Sequence, residues 1–272
     1  MMVKKITAVD DIIDFVFIMN SKPETSCKMI PSERELLKEF IEKVITHEND
    51  FIIAVYDKKA LKGVFFLFYE PKDKYLELIG GYAEETAVCR EFFGFMMKNY
   101  SGHAFDMIIN PLNNTFIESA RLEGAEFDGE QVEMVLTDFC IESVSGNAIP
   151  FSDKYAEEYI AIHDDEEAYW TAKKIINAKD IFRSYIALDK EKPIGYIDVA
   201  YNNPKNEIYN LFVLSEYRGL GYESALLQKA ISDSKENEMI FLVNVDDEYM
   251  TNLCISLGFN EGAHTIYVKI EL

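Results

Sequence analysis

An apolar strand, an Arg/Gly loop and the start of a helix follow one another without a break in Leu211-Phe-Val-Leu-Ser-Glu-Tyr-Arg-Gly-Leu-Gly-Tyr-Glu-Ser-Ala-Leu-Leu227. The first N–H groups of a helix lack intrahelical partners and carry partial positive charge, so a loop entering a helix this way can cradle a pyrophosphate. Gly219 and Gly221 let the main chain approach an anion and take positive φ, and Arg218 adds a fixed charge. A Gly-rich strand-to-helix turn alone also serves as an ordinary tight turn. Other groups carry less. Asp246-Asp247-Glu248 has metal-ligand chemistry, but acidic loops before helices are commonplace and no metal is expected. Cys254 with His264 would suit a thiol hydrolase only if a helix N-terminus or a nearby cation activated the thiol, and the sequence offers neither. Histidines 47, 103 and 163 show no ligand spacing.

The elements around the loop occur twice. Ile53-Ala-Val-Tyr-Asp-Lys-Lys-Ala-Leu-Lys-Gly63 reads as strand, polar turn and second strand running to Tyr69, and Ile186-Ala-Leu-Asp-Lys-Glu-Lys-Pro-Ile-Gly195 repeats the pattern up to Tyr201. Both copies turn through a Pro-Lys pair, Pro71-Lys72 and Pro204-Lys205, into strands expected at Tyr75–Ile79 and Glu207–Val213. A helix follows each, with Val88, Phe92, Phe95 and Met96 on one face of the first and Leu227, Ala230 and Ile231 on the second. Strands at Ala104–Ile109 and Met239–Val245 lead to a last helix closing on glycine. Asn113 precedes Gly124 by 11 residues, and Asp247 precedes Gly258 by the same 11. Helical stretches at Ser32–Thr46 and Tyr155–Ala178 precede the two cores, and Tyr169 and Trp170 on the second read as packing residues. The polar segment Glu142-Ser-Val-Ser-Gly-Asn-Ala-Ile-Pro150 reads as a linker, dividing the chain into 1–141, 142–150 and 151–272.

Length and composition agree with two domains. The 272 residues exceed a typical single domain, and 49% are apolar. A formal charge of −21 repels a phosphate backbone and no basic stripe offsets it, so no nucleic-acid partner is expected. The same charge suits cationic amines as substrates, and it also serves solubility. No apolar run reaches the ~18 residues of a membrane span, and the four cysteines, without a Cys-x-x-Cys, suit reduced thiols. The expected setting is cytoplasmic, without a membrane partner.

Strand, loop and helix at Leu211–Leu227 resemble the coenzyme A signature of the GNAT (Gcn5-related N-acetyltransferase) superfamily, Arg/Gln-x-x-Gly-x-Gly/Ala after a Leu-x-Val strand. Arg218 and Gly221 match, whereas Glu223 stands where the family has Gly or Ala. Leu253-Cys-Ile-Ser-Leu-Gly-Phe259 resembles the family's second landmark, Leu-Tyr-x-x-Leu-Gly-Phe, and the two together cover about 85 residues, Tyr185 to Lys269. The resemblance implies an α/β fold of two tandem GNAT-like domains, each a mixed, centrally splayed sheet flanked by helices. It implies acetyl-CoA as cosubstrate and transfer to a small-molecule or peptide amine by direct attack in a ternary complex. Leu211, Phe212 and Val213 would form the splayed strand, with the Val213 N–H polarising the thioester. Arg218, Gly219, Leu220, Gly221, Tyr222, Glu223 and Ser224 would line the pyrophosphate, with the Glu223 carboxylate able to weaken its binding. Asp247 stands where relatives have a cofactor-touching Asn, an N-cap role being the alternative.

Glu207 resembles the position of GNAT bases, and a solvated strand-end carboxylate is the bland counterpart. Cys254 replaces the family's proton-donating Tyr, with Tyr249 as a substitute donor and a small buried Cys as the plain reading. Glu223 either points at the pyrophosphate or turns outward along the first helical turn, and the outward orientation is expected because helix-initial carboxylates are common. The first half reads Gly81-Tyr-Ala-Glu-Glu-Thr86 in place of the loop, with no Arg, and is expected to be degenerate. A catalytically impaired coenzyme A-binding or assembly module is the alternative to an enzyme, and homodimerisation is left open.

Overall fold

The computed structural model describes residues 1–138, 147–163, 169–201, 205–234 and 238–272. In chain order the elements are β1 (Met2–Lys5), α1 (Ile13–Asn20), α2 (Arg34–Thr46), β2 (Phe51–Asp57), β3 (Ala60–Glu70), β4 (Tyr75–Ala83), α3 (Thr86–Asn99), β5 (Ala104–Ile109), α4 (Asn114–Leu122) and β6 (Glu126–Leu136). There follow β7 (Ala148–Pro150), α5 (Ala156–Ile162), α6 (Ala172–Asn177), β8 (Phe182–Asp189), β9 (Lys192–Tyr201), β10 (Lys205–Val213), α7 (Tyr222–Asp233), β11 (Glu238–Asn244), α8 (Glu248–Ser256) and β12 (Asn260–Glu271). The chain divides into two compact units, residues 1–131 with 263–272, and residues 132–262.

In the first unit the strand order is β1-β2-β3-β4-β5-β12. Period-2 alternation gives the sheet two apolar faces. Ile53, Val55, Phe65 and Leu67 meet Val88, Phe92, Phe93 and Met96 of α3, while Ile52, Ala54, Val64 and Phe66 meet α1 and α2 through Val16, Leu37 and Ile41. Phe65 stacks on Phe92 at 3.9 Å between centroids, and each such buried ring contributes ~1.5–3 kcal/mol of transfer free energy.

In the second unit the order is β6-β11-β10-β9-β8-β7. Helix α7 covers one face with Ala225, Leu226, Leu227, Ala230 and Ile231, and α5 and α6 cover the other around Tyr159, Ala172, Ile175 and Tyr196.

The mixed, two-unit α/β fold is as expected, down to the hairpins and caps. Asp57↔Ala60 and Asp189↔Lys192 close two-residue turns. Lys190 and Glu191 both take positive φ, 52° and 86°, the demand of a type I′ turn. Asn113 and Asp247 cap α4 and α8, and Gly124 and Gly258 follow these helices at φ 83° and 95°.

Three expectations change. Of the expected linker, 142–146 lies outside the described residues, as does Cys140, while Ala148–Pro150 pairs with Tyr185–Ala187 as strand β7. The last ten residues belong to the first unit, where Ile266–Glu271 pairs antiparallel with Ala104–Ile109. The helix expected over Tyr155–Ala178 is two short helices, α5 and α6, with Tyr169 and Trp170 before α6; Trp170 packs on Phe182 at 4.9 Å.

Candidate functional site

Strand β10 separates two environments along its length. It pairs in parallel with β11 only from Lys205↔Glu238 to Ile208↔Phe241, whereas its antiparallel pairing with β9 continues to Val213↔Gly195. A bulge between Ile208 and Asn210 marks the place where the strands part. The Leu214 N–H donates to the Ile194 carbonyl, on the β9 side. Alternation along an antiparallel strand therefore turns the N–H groups of Leu211 and Val213 to the opposite edge, the one β11 has left. This is the splay that the resemblance implies, and it turns two donors, not that of Val213 alone, toward the edge from which β11 has parted. Gly195 is needed opposite, since a Cβ there would lie 2.6 Å from the Phe212 carbonyl.

The Arg/Gly loop closes the wide end of that gap. Gly219 and Gly221 take φ of 72° and 91°, and a Cβ on either would meet nothing within 4 Å, so the loop face is clear. Gly221 is the N-cap of α7 and supplies no side-chain cap. The Arg218 Nε donates to the Val213 carbonyl at 3.2 Å, tying the loop to the end of β10. Leu220 is exposed, Tyr222 packs edge-on against Tyr217, and Ser224 accepts from the Gln228 amide. Phe212 stacks on Tyr196.

Glu223 corrects the expected outward orientation. Its side chain turns back into the loop, 3% exposed, with Oε1 accepting the Gly219 N–H at 3.2 Å and Oε2 accepting the Tyr249 hydroxyl at 3.5 Å. A carboxylate two positions into a helix reaches the unpaired N–H of the preceding turn, and a tyrosine from α8 holds it there. Tyr249 is thereby engaged with Glu223, and burial together with that carboxylate raises its phenol.

Glu207 lies near the apex of the splay, paired with Ile240 on β11 and Ala200 on β9. Ile208 belongs to the α7 core, so Glu207 points to the opposite face, that of α5 and α6. Burial first, and the Glu133 charge second, raise its carboxyl above the ordinary carboxylate range. It is thus not a solvated strand-end residue. Asp247 caps α8 by accepting the Met250 N–H at 2.9 Å, the plainer of its two roles. Cys254 is fully buried in the α7-side core, and burial pushes its thiol up to about 12. The plain packing reading of Cys254 fits that position, and a proton donor does not. No group of His, Cys, Asp and Glu among the described residues could hold a metal ion.

A buried network on the α5 face was not visible in sequence. Asp198 is fully buried and accepts from the Tyr159 hydroxyl at 2.9 Å and from Ser184, with His163 Nε2 3.2 Å away. His163 stacks on Tyr196, whose hydroxyl accepts from the Asn210 amide at the bulge. The one usable signal was a carboxylate inside the apolar strand Ile194–Ala200.

The first unit repeats the splay without the site. Strands β4 and β5 pair from Tyr75↔Ala104 to Leu78↔Met107, and a bulge in β4 follows. The chain's own segment 20–30 then spans the gap. Cys27 Sγ donates to the Ile79 carbonyl, Asn20 accepts from Tyr82 and the Cys27 N–H, and Asn110 donates to the carbonyls of Pro23 and Ser26. A Cβ on Gly80 would lie 2.8 Å from Ile30. Only Glu84 and Glu85 separate β4 from α3, and Glu84 pairs with Lys62.

A bulged, splayed strand feeding an Arg/Gly loop and a helix is the arrangement of a GNAT-type fold. The profile of the acetyltransferase (GNAT) family matches residues 148–259, which fall within the second unit. Solved structures extend the likeness to both units. A GCN5-related N-acetyltransferase from Sphaerobacter thermophilus aligns with a TM-score of 0.61 over 99% of this chain and 95% of its own, at 12% identity. A tandem GNAT protein from the clavulanic acid biosynthesis pathway aligns with a TM-score of 0.57 over 99% and 98%, at 13% identity. A conserved protein of unknown function from Staphylococcus epidermidis aligns with a TM-score of 0.60 over 76% and 90%, at 13% identity. No curated protein matches the chain by sequence. No helix among the described residues is long and apolar enough to cross a membrane.

Proposed function

We propose that the chain is an acetyl-CoA-dependent N-acetyltransferase, cytoplasmic in setting, whose second unit holds coenzyme A and transfers its acetyl group to an amine. The observation that carries this reading is the pair of N–H groups, Leu211 and Val213, facing a gap that ends at a positive-φ glycine loop. Those donors suit a thioester carbonyl and the oxyanion that forms when an amine attacks it. The unpaired N–H groups opening α7 suit the pyrophosphate. Glu207, whose carboxyl burial and the Glu133 charge make more basic than an ordinary one, takes the proton that the attacking amine gives up. The thiolate of coenzyme A leaves without help from Cys254.

An amine bearing further positive charge fits a chain of net charge −21, with Glu133 beside Glu207 as a local anion. The first unit, its gap filled by segment 20–30, serves shape and not cofactor binding.

Turnover of acetyl-CoA against a panel of mono-, di- and polyamines and lysine peptides, read by free thiol, tests the reading. Thiol release stimulated by at least one amine supports it. A second reading, a catalytically silent coenzyme A-binding module, is favoured by the Glu223 carboxylate in the loop, and it predicts binding without amine-dependent thiol release.

A further inference from the structure

We propose that Glu223 is a latch on the cofactor loop: its carboxylate takes the loop N–H that would serve a phosphate oxygen, and coenzyme A enters by displacing it. The inference rests on the reading above that this loop binds coenzyme A. Three observations carry it. First, both carboxylate oxygens are engaged, one with the Gly219 N–H and the other with the Tyr249 hydroxyl, and the side chain is 3% exposed. Second, the rest of the loop is clear, since Gly219 and Gly221 project toward open space and Leu220 is exposed. Third, Arg218 directs its Nε to the Val213 carbonyl. A carboxylate and a phosphate seek the same donors and repel one another, so they exclude each other at Gly219.

The latch also has a positive effect in the absence of ligand. It satisfies a donor in the loop ahead of α7 and braces Gly219 at positive φ, so the loop is shaped before the cofactor arrives. Displacement frees the Tyr249 hydroxyl on α8, linking loop occupancy to the neighbouring helix.

The test compares the whole chain with Glu223→Ala, Glu223→Gln and Tyr249→Phe, with melting curves confirming that each folds. Two quantities are read: hydrogen exchange of the Gly219 amide without ligand, and coenzyme A affinity by calorimetry at low and high salt. Gly219 exchange is expected to accelerate about tenfold or more in Glu223→Ala and to change little in Glu223→Gln, whose amide oxygen still accepts. Coenzyme A is expected to bind about tenfold or more tightly to Glu223→Ala, with the charge-dependent part of the gain shrinking at high salt, and severalfold more tightly to Glu223→Gln, which loses the charge but keeps the bond, and to Tyr249→Phe. Unchanged Gly219 exchange in Glu223→Ala overturns the latch, whatever the affinities. Unchanged affinity in Glu223→Ala, with measurable binding by the parent chain, also overturns it and leaves the cofactor reading intact. Accelerated exchange with no coenzyme A binding in any variant contradicts the cofactor reading instead.

Discussion

Replacing Glu207 with Gln separates a catalytic carboxylate from a structural one. The shapes match, so packing at the apex of the splay is kept and only the charge and basicity go. A positioned general base contributes ~10²–10⁴ in rate, which at 1.36 kcal/mol per tenfold is about 2.7–5.4 kcal/mol of barrier. The expected result is a fall in kcat of that size with little change in the KM for acetyl-CoA, because Glu207 lies on the α5/α6 face, away from the loop.

Stability should move the other way. Burial and Glu133 raise the Glu207 carboxyl, so the folded chain binds this proton more tightly than the unfolded one. The proton's contribution to stability is fully present below the unfolded carboxylate pKa and is lost as pH rises through the raised folded value. Gln cannot ionise, so the variant should gain melting temperature relative to the parent above that pH and match it below. The parent's kcat should rise with pH along the same window, and Glu133→Gln should shift that limb to lower pH. Melting and amine-acetylation assays from pH 4 to 9 on the three proteins read all of this. A Glu207→Gln variant that melts higher yet keeps kcat within threefold would refute the catalytic assignment, while one that melts lower at neutral pH would refute the electrostatic reasoning.

Cys254→Ala removes a fully buried sulfur and no chemistry, so kcat should hold within about threefold while stability falls by ~1 kcal/mol, a few degrees in Tm; a hundredfold loss of kcat with Tm unchanged would restore the thiol to the mechanism. Glu191→Gly relieves a non-glycine residue at φ 86° in the second hairpin and should raise stability by about 1 kcal/mol in denaturant titrations, without effect on turnover.

Features set by local chemistry could be read from the sequence. The Asn113/Gly124 and Asp247/Gly258 spacings became caps and helix ends because capping depends on residues within one helix. The two-residue hairpins followed from their polar turns flanked by apolar runs. The direction of Glu223 is not legible locally, because it is settled by Tyr249, 26 residues later, a partner that the preference for carboxylates at helix starts does not reveal. The fate of the last strand was likewise hidden. Its alternating pattern announces a strand, but membership of the first unit depends on pairing with Ala104–Ile109, far away in the chain. Segment 20–30 gave no sign that it fills the first gap, since Cys27 and Asn20 act through carbonyls and hydroxyls that no local motif encodes.

Under the proposed function, one loop, in the second unit, holds coenzyme A. Calorimetric titration of the full chain, beside Gly221→Val, tests it most directly. Gly221 sits at φ 91° with open space above it, so a valine there disturbs the loop and blocks the face a pyrophosphate would use, at a folding cost of ~1–3 kcal/mol that melting curves register. One coenzyme A per parent chain is expected, and none measurable in a folded Gly221→Val. Two sites per chain, or undiminished binding by the variant, would contradict it.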